Sequence, residues 1–140
     1  MDEIIPHVYI GDLEDGRQAL PFMAVLCVMW EGEPDIPEGA HHIQTTDFNG
    51  LDDPYTRVED MERAADYIHQ QVTAGQNVLV HCAYGAERSP LTVAWYLMRY
   101  HKMNLSEAYT LIMEKRIQVQ YRRTWLPKDV RLSGQLPERV

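Results

Sequence analysis

The 140-residue sequence is poor in cysteine, with Cys27 and Cys82 the only two. Two thiols cannot build a disulfide framework, and their scarcity favours a reducing, cytoplasmic setting. Positive charge is scarce as well. Lys and Arg number 13 against 21 Asp and Glu, and the formal net charge of −8 is the reverse of what a nucleic-acid-binding surface carries. Long apolar runs are missing. The longest, Phe22 to Trp30, is strand-sized and falls well short of the roughly 18 residues a membrane helix needs, so no membrane association is expected. The acidic start Met1-Asp2-Glu3 has none of the features of a signal or transit peptide. No internal repeat or low-complexity segment occurs. What is present, 45% hydrophobic and 24% charged residues, suits one globular domain spanning residues 1–140.

Glycine and proline divide the chain into short units. Ile4 to Gly11 alternates as a short strand. Phe22 to Trp30, with β-branched members, reads as a strand buried on both faces. Glu31 to Gly39, with Pro34 and Pro37, is a loop. His41 to Thr46 predicts a third strand, followed by turn chemistry through Asn49-Gly50 and Asp52-Asp53-Pro54. Val58, Met61, Ala65, Ile68 and Val72 then fall at intervals of three and four, which predicts an amphipathic helix ending near Ala74-Gly75. Asn77 to Val80 is a short apolar strand. Pro90 suits the first position of a new helix, and Leu91 to Met98 is apolar nearly all round, so that helix is central. Asn104 with Glu107 forms a capping signal for a further helix. The tail beyond Tyr121 reads as short helical or irregular structure. Strands alternating with helices predict an α/β domain with a largely parallel central sheet flanked by helices.

The chemistry concentrates in the segment after Val80, which is the loop at the carboxyl end of a strand where α/β sheets bind ligands. It runs His81-Cys82-Ala83-Tyr84-Gly85-Ala86-Glu87-Arg88-Ser89-Pro90. Backbone N–H groups curling from Cys82 to Arg88 suit a nest for a tetrahedral oxyanion. The helix starting near Pro90 points its positive end into the same space. Arg88 offers a planar fork that matches two phosphate oxygens. The same field favours the thiolate of Cys82, making it a nucleophile beneath a bound phosphorus. Ser89 is placed to donate its hydroxyl to that sulfur and ease its departure in a second step. His81 is expected to brace the loop by hydrogen bonds rather than act as a base. Cys27, in mid-strand, reads as a buried hydrophobe, with a redox partnership with Cys82 as the alternative.

HCAYGAERSP resembles the active-site signature of cysteine-dependent protein phosphatases, specifically the small dual-specificity branch. The likeness extends over IIPHVYIG, AVLCVMW, RAADYIHQQVTAGQNVLVHC and RSPLTVAWYLM. It implies a three-layer sandwich built on a sheet of about five strands, and hydrolysis through a phosphocysteine without metal or cofactor. It also implies inhibition by vanadate. The shallow pocket expected at this length would admit phosphotyrosine, phosphoserine or phosphothreonine in a protein or peptide. The phosphate cradle would be Ala83, Tyr84, Gly85, Ala86, Glu87 and Arg88, with Tyr84 either touching substrate or packing on the rim.

Relatives use an aspartic acid on a preceding loop to protonate the leaving group and later activate water. Asp47 follows the strand HHIQTT as that acid does, although it lies further from Cys82 than the usual interval. Asp52 and Asp53 fit the interval better but sit deeper in the turn. Glu87 is a second departure, because small residues usually occupy this place and a carboxylate opposes anion binding. Cell-division-cycle phosphatases of the rhodanese type carry Glu-Arg here too, so Glu87 stands as an alternative acid. The basic run Lys115, Arg116, Arg122, Arg123 reads as a solvated face, or as an attractor for a second phosphate or an acidic peptide flank. Two other readings remain open: a catalytically weak phosphate-binding module, and a phosphatase of a non-protein ester. A nucleic-acid 5′-phosphatase is disfavoured by the net charge.

Overall fold

The computed structural model describes residues 1–49 and 53–139. Its centre is a five-stranded sheet in the order β1 (Asp2–Ile5), β2 (Val8–Gly11), β7 (Val78–His81), β3 (Ala24–Cys27) and β4 (His41–His42). β2, β7, β3 and β4 run parallel, and β1 pairs antiparallel with β2 at one edge. The expected single strand over Ile4 to Gly11 is thus a hairpin. His7, with φ at 76°, makes its turn. The expected strand over His41 to Thr46 also divides. β4 ends after two residues, and β5 (Thr46–Asn49) leaves the sheet to pair antiparallel with β6 (Asp53–Thr56) in a separate two-stranded ribbon.

The strand side chains alternate between two unequal layers. Val8, Ile10, Leu26, Val78 and Val80 face a large core with the helices α2 (Val58–Thr73), α3 (Arg88–Tyr100) and α4 (Leu105–Lys115). Val25 and Leu79 face a small cluster closed by Ala19 of the helix α1 (Leu13–Ala19). These are the three layers expected. Every residue of α3 from Ser89 to Met98 is buried, as a helix apolar on all sides must be. α4 starts on a reciprocal cap, Asn104 accepting from the Glu107 N–H and Glu107 from the Asn104 N–H. A 3-10 turn (Arg123–Trp125) and α5 (Lys128–Ser133) close the tail. Among the described residues no helix is long and apolar enough to cross a membrane.

Two consequences of this order place the site. β7 is the middle strand, so the loop leaving His81 opens at the carboxyl edge of the sheet between β2 and β3. That loop feeds directly into α3, whose first turn begins at Arg88, two residues earlier than Pro90 suggests.

Candidate active site

Cys82 sits at the floor of the loop, 2% exposed. Its Sγ lies 3.2 Å from Ser89 Oγ, and the Ser89 backbone N–H points at the same sulfur over 3.4 Å. Both contacts come from the first turn of α3, which directs its unpaired amides and positive dipole end at the thiol.

The rest of the loop is defined by where its carbonyls go. The Ala83 carbonyl accepts from the Leu13 N–H at 3.1 Å and the Ala86 carbonyl from the Gln120 N–H at 2.8 Å. The Tyr84 and Gly85 carbonyls accept from the Arg116 guanidinium at 3.3 and 2.9 Å. His81 Nδ1 lies 3.2 Å from the Cys82 carbonyl. Within a planar trans peptide the C=O of one residue and the N–H of the next point in opposite directions. Drawing these carbonyls outward therefore turns the N–H groups of residues 83 to 87 the opposite way. Successive amides turned to one side are an arrangement that can hold an anion.

Arg116, which the basic run predicts to lie on a solvated face or to attract a second phosphate or an acidic flank, is instead the main outward anchor. It is 4% exposed, not part of a solvated basic face, and its charge is met by Asp2 at 2.8 Å. Gly85 has a φ of 68°, and a Cβ there would lie 2.6 Å from both Arg116 Nη2 and the Gly11 carbonyl oxygen. Only glycine fits. His81 faces α1, where a Cβ on Gly16 would stand 2.7 Å from its ring. Burial holds the His81 imidazole below its ordinary 6.5, so the neutral ring is favoured.

Arg88 is held by partners that sequence reading did not identify. Its Nη1 and Nη2 lie 2.7 and 3.5 Å from the two carboxylate oxygens of Glu33, and its guanidinium lies 4.5 Å from the centroid of Trp30. Both partners come from the segment after β3, more than fifty residues away in sequence. Trp30 in turn packs on Phe48 of β5, with ring centroids 4.5 Å apart. A cleft of about 470 Å³ opens above Ala83 and Arg88, walled by Trp30, Phe48, Pro54, Tyr84 and Trp125, with Glu33 and Glu87 also on its lining. Tyr84 is exposed on its rim.

Glu87 pairs with Arg122 at 2.8 Å. Asp47 does not line this cleft. Its carboxylate lies 3.8 Å from Arg57 and accepts from the Phe48 N–H at 2.8 Å. Alternation along β5 gives the cleft to Phe48 and sends Asp47 the other way. Asp53 borders a neighbouring hollow with Tyr55, Trp125 and Arg131. Asp52 lies outside the described residues. Cys27 is fully buried at the end of β3, and burial pushes its thiol up to about 11.

Known proteins share both sequence and fold with this chain. Residues 9–136 match the model of the dual specificity phosphatase catalytic domain. Human dual specificity protein phosphatase 26 is 33% identical over 125 residues, covering 82% of this chain and 59% of that protein. Drosophila melanogaster dual specificity protein phosphatase MPK-4 is 28% identical, covering 86% of this chain and 33% of that protein. The chain thus spans less than two thirds of the length of these curated relatives. Among solved structures, human DUSP28 superposes with a TM-score of 0.67 at 18% identity, over 95% of this chain and 88% of that one. Taken with the loop from Cys82 to Ser89, these matches show that the chain belongs to the dual specificity phosphatase catalytic-domain family.

Proposed function

We propose that this protein hydrolyses phosphomonoesters on phosphorylated proteins by double displacement at Cys82. A substrate phosphate settles into the amide ring. Glu33 occupies the Nη1/Nη2 edge of Arg88, which leaves the Nε/Nη2 edge for two phosphate oxygens. The Cys82 thiolate attacks phosphorus, the P–O bond to the substrate breaks, and the leaving oxygen takes a proton from a carboxylic acid. Water then attacks the phosphocysteine, the S–P bond breaks, and the Ser89 hydroxyl supports the departing thiolate. The observation that carries this reading is the convergence on one sulfur of the Ser89 hydroxyl and N–H, at 3.2 and 3.4 Å, in a loop whose carbonyls are drawn outward.

The candidates for the acid are Asp47, from its place after the third strand, Asp52 and Asp53, from their interval to Cys82, and Glu87, from its place on the cleft lining. Comparing aryl phosphates of graded leaving-group acidity separates them. The acid variant loses rate on poor leaving groups far more than on good ones, and the other variants lose both alike.

The ion pairs on Arg88 and Glu87, with Asp47 turned to Arg57, favour one second reading, a phosphate-binding module with little turnover. Steady-state hydrolysis of para-nitrophenyl phosphate, with and without vanadate, decides. Vanadate-sensitive turnover lost in Cys82→Ser supports the hydrolase. Vanadate or phosphate binding without turnover leaves the module.

A further inference from the structure

We infer that Thr45 and Thr92 are positioning residues for Arg88, a buried hydroxyl pair that ties the β5–β6 ribbon to the backbone of that arginine. This rests on Arg88 gripping the substrate phosphate.

Both threonines are completely buried, in surroundings otherwise filled by apolar side chains. Thr92 lies one turn into α3, and its hydroxyl donates to the Arg88 carbonyl at 2.9 Å. A hydroxyl has one hydrogen to give. With that of Thr92 committed to the carbonyl, the 3.1 Å contact between the two hydroxyls has Thr45 donating and Thr92 accepting. The bonds run in one direction, from Thr45 through Thr92 to Arg88. Thr45 immediately precedes β5, and its own carbonyl accepts from the Arg57 N–H at the N-terminus of α2 over 3.0 Å. One residue thus fixes β5, α2 and α3 against one another.

The far end of the same arginine is met by the same ribbon. Phe48, three residues beyond Thr45, packs on Trp30 with ring centroids 4.5 Å apart, and Trp30 lies 4.5 Å from the Arg88 guanidinium. The contacts close a circuit from the Arg88 backbone through Thr92, Thr45, Phe48 and Trp30 back to the Arg88 head group. A slide of β5 along α3 would therefore shift the head group relative to its own backbone. A polar pair in an apolar core adds little net stability over an apolar pair of the same shape. What it adds is direction, because a hydrogen bond sets a distance and an angle that methyl contacts leave loose.

The test is a double-mutant cycle of Thr45→Val and Thr92→Val, with vanadate and aryl phosphates as probes. Thr92→Val strands the Thr45 hydroxyl and should lower Tm by about 5–10 °C. Thr45→Val leaves Thr92 its carbonyl and should cost less. The combined variant strands nothing and should regain most of the loss. If the pair only filled space, anion binding would return with the Tm. The expected result is that the combined variant, while folded, binds vanadate about tenfold more weakly and raises KM by a similar factor. That loss should be equal for good and poor leaving groups, since the phosphate is gripped in both. Thr45→Ser and Thr92→Ser keep the hydroxyls and should stay within about threefold of native vanadate affinity, although each leaves a small cavity. Native affinity in the combined variant, serine variants as weak as the valine ones, or a loss confined to poor leaving groups overturns the inference and leaves the hydrolase standing. Weaker vanadate binding by the combined variant of a protein without turnover upholds the inference and removes the hydrolase. A native protein that binds no vanadate removes the phosphate site, and the inference with it.

Discussion

Replacing Arg116 tests whether the amide nest is held from behind. The guanidinium donates to Gly85 O at 2.9 Å and to Asp2 at 2.8 Å, and more weakly to Tyr84 O at 3.3 Å and Ile10 O at 3.4 Å. In Arg116→Met the aliphatic stem is retained but all donors are lost. Asp2 is 41% exposed and rehydrates cheaply, so it contributes little. The two loop carbonyls are left facing a buried site, at roughly 1–3 kcal/mol each, or about 2–6 kcal/mol together. For a chain of this size 1 kcal/mol moves Tm by about 3–5 °C, so a fall on the order of 10–15 °C is expected. The function should suffer beyond the fold. At a temperature where the variant remains folded by circular dichroism, vanadate should raise its Tm much less than it raises that of the native protein, because the carbonyls are free to turn inward and displace the anion. Arg116→Lys should fall between the two, since an ammonium restores charge but not the fork that spans two acceptors. A variant melting within about 2 °C of the native protein, with an unchanged vanadate shift, would refute the claim that Arg116 shapes the nest.

Other expectations follow from neighbouring contacts. Glu33→Ala, which frees the Arg88 fork, should raise KM for an aryl phosphate about tenfold, with Glu33→Gln much milder because its amide oxygen can still meet Nη1. A lower KM in Glu33→Ala would show instead that repulsion between carboxylate and dianion dominates. Gly85→Ala must push its Cβ into Arg116 and the Gly11 carbonyl, so turnover should be nearly lost. Near-native kcat/KM in that variant would contradict the described loop. Acidification should destabilise the protein through His81, whose folded-state value lies below 6.5. The unfolded chain takes up the proton first, so stability falls as pH drops from about 6.5 toward the lower folded value and is retained above 6.5. His101, also lowered by burial, adds to the same slope. Melting temperatures between about pH 7 and pH 5 for native protein and His81→Asn should show a shallower dependence in the variant, and parallel curves would remove His81 as a contributor. Iodoacetate at neutral pH should label Cys82 and spare Cys27, whose thiol is held near 11. Equal labelling would contradict the burial assigned to Cys27.

What could be read from sequence was local in the chain. The loop from His81 to Pro90 was recognisable because strand, nucleophile, arginine and helix start follow one another without a break. The helices α2, α3 and α4 announced themselves by apolar spacing, all-round burial and the Asn104–Glu107 cap. α1 did not, since seven residues with Gly16 at their centre show no apolar period, and Gly16 is there to admit the His81 ring. Glu33 and Trp30 escaped because a loop sequence carries no sign of which distant cation it will meet. Arg116 was grouped with charged neighbours because burial of a single arginine depends on acceptors supplied by Asp2, Ile10, Tyr84 and Gly85, all remote in sequence. The side taken by Asp47 depends on the register between β5 and β6, and a one-residue slip there would exchange it with Phe48.

The anchoring of successive loop carbonyls by Leu13, Arg116 and Gln120 means that the socket is finished during folding and not by its guest. An incoming anion finds dipoles already aimed, with no backbone left to organise. Hydrogen–deuterium exchange at residues 83 to 87 should therefore change by simple shielding when orthovanadate is added, with no wider tightening through β2 or α4. Recognition of this kind resembles a mould cast once, and its fidelity is inherited from elements on three sides of the sheet's edge.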